Sequence, residues 1–514
     1  MTLSVLVLER PGRWRLTGLS IIIAISILPA LPLFFALFEG NPLELSSGLK
    51  GFLPLLSKSL TISFSGAGIA LILGLVQGVF YSLYQYKGRR LFLFLSLIPL
   101  MVPSLLWAVS YHNLASISSL FQLSKTTSYV FITAMVTFPL VVASTVSACS
   151  SLNSSQCEAI RLGSGEGRLF WLTIRFSFPS ASIAACLGAF IMLSSPGPAM
   201  GLGVKTAISE VLISFSALYD PRLAALQCLM LSSITLVLAL LLLSLSGKRP
   251  IELLASSSKG IFPYHDSQMS RLAFSFSLII AFFLVILPCA GLIQPALARP
   301  DMTSLAQTIA RTMPYTILYS MGSAIVALVI GLLMAFFMGR FHKTRLVGMS
   351  AILVIFSLPA SLTALGFVYM AANAPEWMDF ILRSPFAVCL SQGLRLFPVP
   401  TLLAARFFAS LPSSWSYAAE LQEVSLLKFS SRILLPLASS TILTSFLLVS
   451  LLSVADIATV LLIHPPGGQN LPLAIFTIMA NAPQSQVSQL CSIYLLSAII
   501  FLLVISTLWK KQRS

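Results

Sequence analysis

Twelve apolar stretches, each near twenty residues long, recur from one end of this 514-residue chain to the other. A helix of about 20 apolar residues crosses about 30 Å of hydrocarbon, and helices satisfy their own backbone hydrogen bonds where no water can. The stretches lie at 17–38, 59–85, 91–112, 128–150, 181–203, 224–246, 272–295, 316–339, 347–371, 386–409, 437–462 and 488–509. Pro196, Gly197 and Pro198 interrupt the fifth. Composition agrees: 57% of residues are hydrophobic, 9% are charged, and the mean hydropathy is +0.95. A soluble chain carries about 25% charged residues. The expected fold is an all-α membrane protein of about twelve transmembrane helices.

The net charge of +16 follows the loops and does not form a nucleic-acid surface. With both termini on the cytoplasmic side, the inner segments hold 22 of the 31 basic residues. These include Arg10, Arg13 and Arg15; Lys87, Arg89 and Arg90; Arg161, Arg168 and Arg175; Lys248, Arg249, Lys259 and Arg271; and Arg513. Eight lie in outer loops and Arg395 lies within a span, so the distribution obeys the positive-inside rule. The first apolar stretch exceeds a signal-peptide core and has no small-residue cleavage site after it; an uncleaved first helix is expected. The seven cysteines form no C-x-x-C pair and read as packing residues. His112, His265, His342 and His464 are scattered, and no catalytic cluster suggests a membrane-embedded enzyme.

The chain also repeats itself. Ser63, Ala70-Leu71 and Gly74-Leu75 recur as Ser320, Ala327-Leu328 and Gly331-Leu332, each 257 residues later. Val102-Pro-Ser-Leu is answered by Leu358-Pro-Ala-Ser-Leu, Phe138-Pro139 by Phe397-Pro398, and Pro179 by Pro436. The two units span 1–255 and 256–514 and join through the stretch from Ser256 to Ser270. Six spans return the chain to its starting side, so these are parallel six-helix repeats.

Equivalent inner segments, 151–180 and 410–436, carry the most specific pattern. The first reads Cys157-Glu-Ala-Ile-Arg-Leu-Gly-Ser-Gly-Glu-Gly and leads to Pro179; the second reads Tyr417-Ala-Ala-Glu-Leu-Gln-Glu and leads to Ile433-Leu-Leu-Pro436. Both resemble the Glu-Ala-Ala coupling loop of binding-protein-dependent ABC importer permeases. The first copy has one residue fewer between Glu158 and Gly163, and the second has Tyr417 for the family Glu and Glu423 for the family Gly. In such a loop a short helix, closed by Gly and followed by Pro, docks in a groove of a partner ATPase. Farther on, Val454-Ala-Asp-Ile-Ala-Thr-Val-Leu-Leu and His464-Pro-Pro-Gly-Gly are similar to the matching stretch of fused two-domain permeases for ferric iron and thiamine.

That resemblance implies a permease subunit of an ATP-driven importer in the bacterial inner membrane. Its expected partners are paired ABC ATPase subunits, a periplasmic substrate-binding protein and the bilayer. The implied coupling residues are Glu158, Ala159, Gly163, Pro179, Ala418, Ala419, Glu423 and Pro436. The chain has no G-x-x-x-x-G-K-[ST] loop, so it is expected to bind no cofactor and to leave ATP hydrolysis to its partners. The alternative is an ion-coupled secondary transporter of 6+6 helices, which calls for more intramembrane acidic residues than Asp456.

Two charges interrupt the apolar spans, Arg395 and Asp456. Such a residue costs about 2.5–3.5 kcal/mol on insertion scales and faces the bundle interior or a partner. The two form either a structural ion pair between the tenth and eleventh spans or part of the substrate path. Pro196 and Pro198, at the position in the first half that corresponds to Asp456, border that path or simply break a helix.

Overall fold

The structure is a computed structural model that describes residues 12–35, 42–117, 119, 122–246, 263–264, 267–298 and 302–511. Arg10, Lys248, Arg249, Lys259, His265, Arg299, Arg513 and the expected boundary at 255/256 lie outside these residues. The chain opens with Arg13–Ile27 (α1), a 3-10 turn at Leu28–Ala30, and Leu31–Phe35 (α2). Then come Pro42–Leu83 (α3), Arg89–Met101 (α4), Ser104–Ile117 (α5) and Lys125–Cys149 (α6). Ser154–Ser164 (α7), Glu166–Leu193 (α8), Gly197–Leu202 (α9), Ala207–Ser216 (α10) and Pro221–Ser246 (α11) follow.

The same order returns after the linker. Ser267–Ala281 (α12), a π turn at Phe282–Ile286 and Leu287–Ala298 (α13) lead to Met302–Met338 (α14). His342–Ser357 (α15), Ala360–Asn373 (α16), Pro385–Leu396 (α17) and Pro398–Ser410 (α18) come next, then Ser413–Leu421 (α19). Leu426–Phe429 (α20), a π turn at Ser430–Leu434 and Leu435–Ala455 (α21) precede Ile457–Ile463 (α22), Leu471–Ile478 (α23) and Gln484–Lys511 (α24). Among the described residues, nine helices are long and apolar enough to cross a membrane, or twelve if three bent pairs each count as one span. No β-strand occurs among those residues; one isolated bridge pairs Tyr84 with Tyr264.

Several spans differ from the expected bounds. The third and ninth are broken, α4 against α5 by 101° and α15 against α16 by 80°. Val102 and Leu358, each before a proline, are extended, because proline disfavours the helical region for its predecessor. The tenth bends by 47° between α17 and α18. The fifth begins at Glu166, runs through Pro179 and ends at Leu193, so Pro179 sits inside a helix. The segment 151–180 is thus a short helix followed by the start of a span. The eleventh breaks at Asp456, which caps α22.

The repeated motifs touch one another within each unit. A Cβ at Gly74 would lie 3.3 Å from the carbonyl oxygen of Phe138, and one at Gly331 would lie 2.9 Å from that of Phe397. Small residues let α3 approach α6, and α14 approach α17 and α18, at backbone distance. The opening helices of each half of the chain pack on the other half. Helix α1 packs on α14 and α15, with Arg15 donating to the Phe336 carbonyl at 2.8 Å, and the 3-10 turn packs on α16. Helices α12 and α13 pack on α3, α4 and α5. There Gln77 Nε2 donates to Ser277 Oγ at 3.0 Å and Asn113 Nδ2 donates to the Gly291 carbonyl at 2.9 Å. All seven cysteines are unpaired thiols, and five of them are buried.

Candidate functional site

Two places bring the sequence candidates together. The first is the pair of short helices α7 and α19. Asn153 caps α7, its side chain accepting from Ser155 N at 3.3 Å. The helix closes on Gly165, whose φ of +80° suits glycine. Gly163, expected at this turn, is instead an exposed residue within the helix. Spacing alone leaves the two glycines equivalent, and only the backbone conformation selects between them.

The inner face of α7 rests on the linker. Cys157 is buried in a cluster with Tyr84, Leu169 and Tyr264, and burial pushes its thiol pKa up. Arg161 lies 4.5 Å over the Tyr264 ring and 3.2 Å from Glu166, which also accepts from the Tyr84 hydroxyl at 3.1 Å. The linker backbone is held as well: Gln85 N donates to the Tyr264 carbonyl at 2.8 Å, and Tyr264 N donates to that of Leu83 at 2.7 Å. Glu158 and Ala159 point outward.

Helix α19 turns Ser416 and Ala419 inward, and Ala419 packs on Phe429 and Leu434. Ala419 is therefore unavailable to a partner, contrary to expectation, because helical periodicity assigns it to the inner face. Ala418, Glu423 and Pro436 are exposed. Glu423 closes the helix at φ +53°, a left-handed conformation, where a side chain costs about 1–2 kcal/mol. Glu423→Gly is expected to stabilise the chain by about 0.5–1 kcal/mol net of glycine's extra entropy. A thermal melt reads this as a raised midpoint, and a lowered one counts against the strained turn.

Two residues absent from the sequence expectation stand out here. Leu162 and Leu421 occupy equivalent positions, four residues after Glu158 and Tyr417, and are 84% and 86% exposed. Leucine in an apolar sequence gives no hint of exposure, so only the spacing from Glu158 and Tyr417 could have found them.

The second place is a cavity between residues of the two halves of the chain, of about 790 Å³ with its open mouth included. Ser194, Ser195, Pro196 and Gly197 from the α8–α9 break form one wall, and Ala455, Asp456, Ile457 and Ala458 from the α21–α22 break form the other. Arg395 lines it too, while Pro198 is buried just behind. Arg395 Nη1 donates to Asp456 Oδ2 at 3.3 Å, and Nη2 donates to Ser194 Oγ at 3.3 Å, so one guanidinium ties the two breaks together. Asp456 Oδ1 accepts from Thr459 N at 3.2 Å and Oδ2 accepts from Thr459 Oγ1 at 2.6 Å. The ion pair and the cavity wall are thus the same residues.

Behind the pair lies a polar network that uncharged residues hide in the sequence. Gln392 Nε2 donates to the Ser453 carbonyl at 3.1 Å, and its Oε1 accepts from Ser323 at 2.9 Å and Ser453 at 2.6 Å. On the other wall Ser104 and Ser195 hydrogen-bond at 2.8 Å. No group of three or more His, Cys, Asp or Glu residues that would hold a metal occurs among the described residues.

Residues 327–510 match a family model described as a binding-protein-dependent transport system inner membrane component. The match takes in α19, Arg395, the Asp456 break and α22. Searches of curated proteins and of solved structures return no match.

Proposed function

We propose that this chain is the membrane-spanning permease subunit of an ATP-driven importer, carrying a small solute that a periplasmic binding protein delivers. The observation that carries the reading is the family match across 327–510, which includes both the short helix α19 and the broken span at the cavity. The same order of elements in 13–246 supports two parallel six-helix units around one path, and the excess of basic residues in the inner segments supports cytoplasmic termini. Paired ABC ATPases clasp α7 and α19, and their ATP-driven closure swings the cavity from one side of the membrane to the other. The chain itself catalyses no chemical step. Its sequence pattern groups it with the ferric iron and thiamine permeases, a likeness of chain and not of solute.

Uptake in proteoliposomes is expected to require the ATPase, the loaded binding protein and ATP together. Transport by the chain alone, driven by a proton or sodium gradient, would favour a secondary transporter. Against that alternative, the Asp456 carboxylate is held by Thr459 and Arg395, which leaves it poorly placed for a proton cycle.

The coupling surface has its own test. Burying a leucine is worth about 2 kcal/mol, so Leu162→Glu and Leu421→Glu are each expected to weaken ATPase capture by roughly thirtyfold. The insertion and melting behaviour of the permease should not change, since both side chains are exposed. Undiminished pull-down with both substitutions present would mean that the ATPase docks elsewhere.

A further inference from the structure

The cavity between the two breaks is not electrically even. In the repeat, Phe138-Pro139 answers Phe397-Pro398, so Val136 stands where Arg395 does, and both line the cavity. Among the described residues that line the cavity, Arg395 is the one base and Asp456 the one acid. Their availability differs. Asp456 takes three hydrogen bonds, two from Thr459 and one from Arg395, and its side chain is 5% exposed. A carboxylate has about four lone-pair sites, so little of it is left to offer.

Arg395 is 14% exposed and spends one N–H on Asp456 and one on Ser194. Guanidinium carries about five such donors, so most of them make no hydrogen bond among the described residues. The hydroxyls of Ser104 and Ser195 line the facing wall of the same cavity. A solute entering here meets donors, and a cation finds one carboxylate that is already bound.

We infer that the solute carried through this cavity bears an anionic oxygen group, a carboxylate, phosphate or sulfonate, and that Arg395 is the side chain that meets it; the inference rests on the permease reading above. Guanidinium suits this task because its planar fork matches two oxygens of one oxyanion. The tie to Ser194 and Asp456 holds the fork toward the cavity before the solute arrives.

The test uses charged thiol reagents as stand-ins for the solute. Ser195→Cys places a thiol on the wall, and the purified full chain is treated with a sulfonatoethyl or a trimethylammonioethyl methanethiosulfonate. Rates are corrected for the parent chain's own cysteines and divided by each reagent's rate with free cysteine. The sulfonate is expected to react about threefold faster, less than in a cleft of one sign, because Asp456 offsets part of the Arg395 field. Arg395→Lys should keep the preference. Because Arg395→Gln leaves Asp456 uncompensated, the neutral pair Arg395→Gln/Asp456→Asn is measured beside it and should show no preference.

A ratio near one in the Ser195→Cys chain, a ratio favouring the ammonium, modification by neither reagent, or a preference that survives in the neutral pair would overturn the assignment. ATPase capture by the same Ser195→Cys chain is scored separately. No charge preference with capture intact removes the oxyanion and leaves the permease; intact preference without capture supports the oxyanion and removes the permease.

Discussion

Arg395→Gln is expected to cost the folded chain about 3 kcal/mol or more, because it leaves the Asp456 carboxylate buried without its partner. Asp456→Asn should cost less than Arg395→Gln. Asparagine caps a helix as well as aspartate does, so the bond from Thr459 N to Oδ1 survives, while the bonds to Oδ2 from Thr459 Oγ1 and Arg395 are lost with the charge. The double substitution should recover at least about 1 kcal/mol of the summed loss, the coupling that a double-mutant cycle isolates for residues in contact. Thermal or denaturant unfolding of the purified chain reads all four corners of the cycle. Strict additivity would show that the pair contributes nothing to folding and that its geometry serves the cavity alone. Transport should fall in every variant, since the same pair bridges the two broken spans.

Gly366→Ala is expected to be as damaging by a different route. Gly366 lies in α16 where the 3-10 turn of the opening segment crosses it, and an added Cβ would run into the carbonyl group of Pro29. Both partners are backbone, so no side chain can rotate away. Overpacking costs about 1–3 kcal/mol where side chains can shift, and this contact should reach or exceed the upper end. The expected readout is a lowered melting temperature and faster protease cleavage near the opening helix. An alanine variant that melts with the parent would mean that this crossing is looser than its geometry.

Much of this was legible in the sequence because hydrocarbon imposes a length on apolar runs and a repeat imposes an order. Gly74 and Phe138 were visible as repeated marks, though not as each other's neighbours. Arg395 and Asp456 were found as charges in apolar spans, and their pairing follows from the cost of leaving either alone. The breaks at Val102 and Leu358 were missed because both limbs of each bent span are apolar, so hydropathy runs through the corner without a dip. Gln392, Ser194 and Ser453 were missed for a related reason: uncharged polar residues are common in membrane helices, and only tertiary placement makes them a network. Ala419 was assigned to the wrong face because a motif names residues without naming their orientation.

The exchange of opening helices has a consequence for synthesis. Helix α1 and the 3-10 turn after it are made early, yet their docking partners α14, α15 and α16 end at Asn373. At bacterial or eukaryotic elongation rates that delay is on the order of 15–70 s. During it the first half sits in the bilayer with its opening helix still without α14 and α15, on which it packs in the finished protein. The reverse docking, α12 and α13 onto α3, α4 and α5, has no such wait, because its receiving surface is already made. Assembly is therefore timed from one side: the second half of the chain docks on the first as it emerges, and the first docks on the second only once Asn373 has been made.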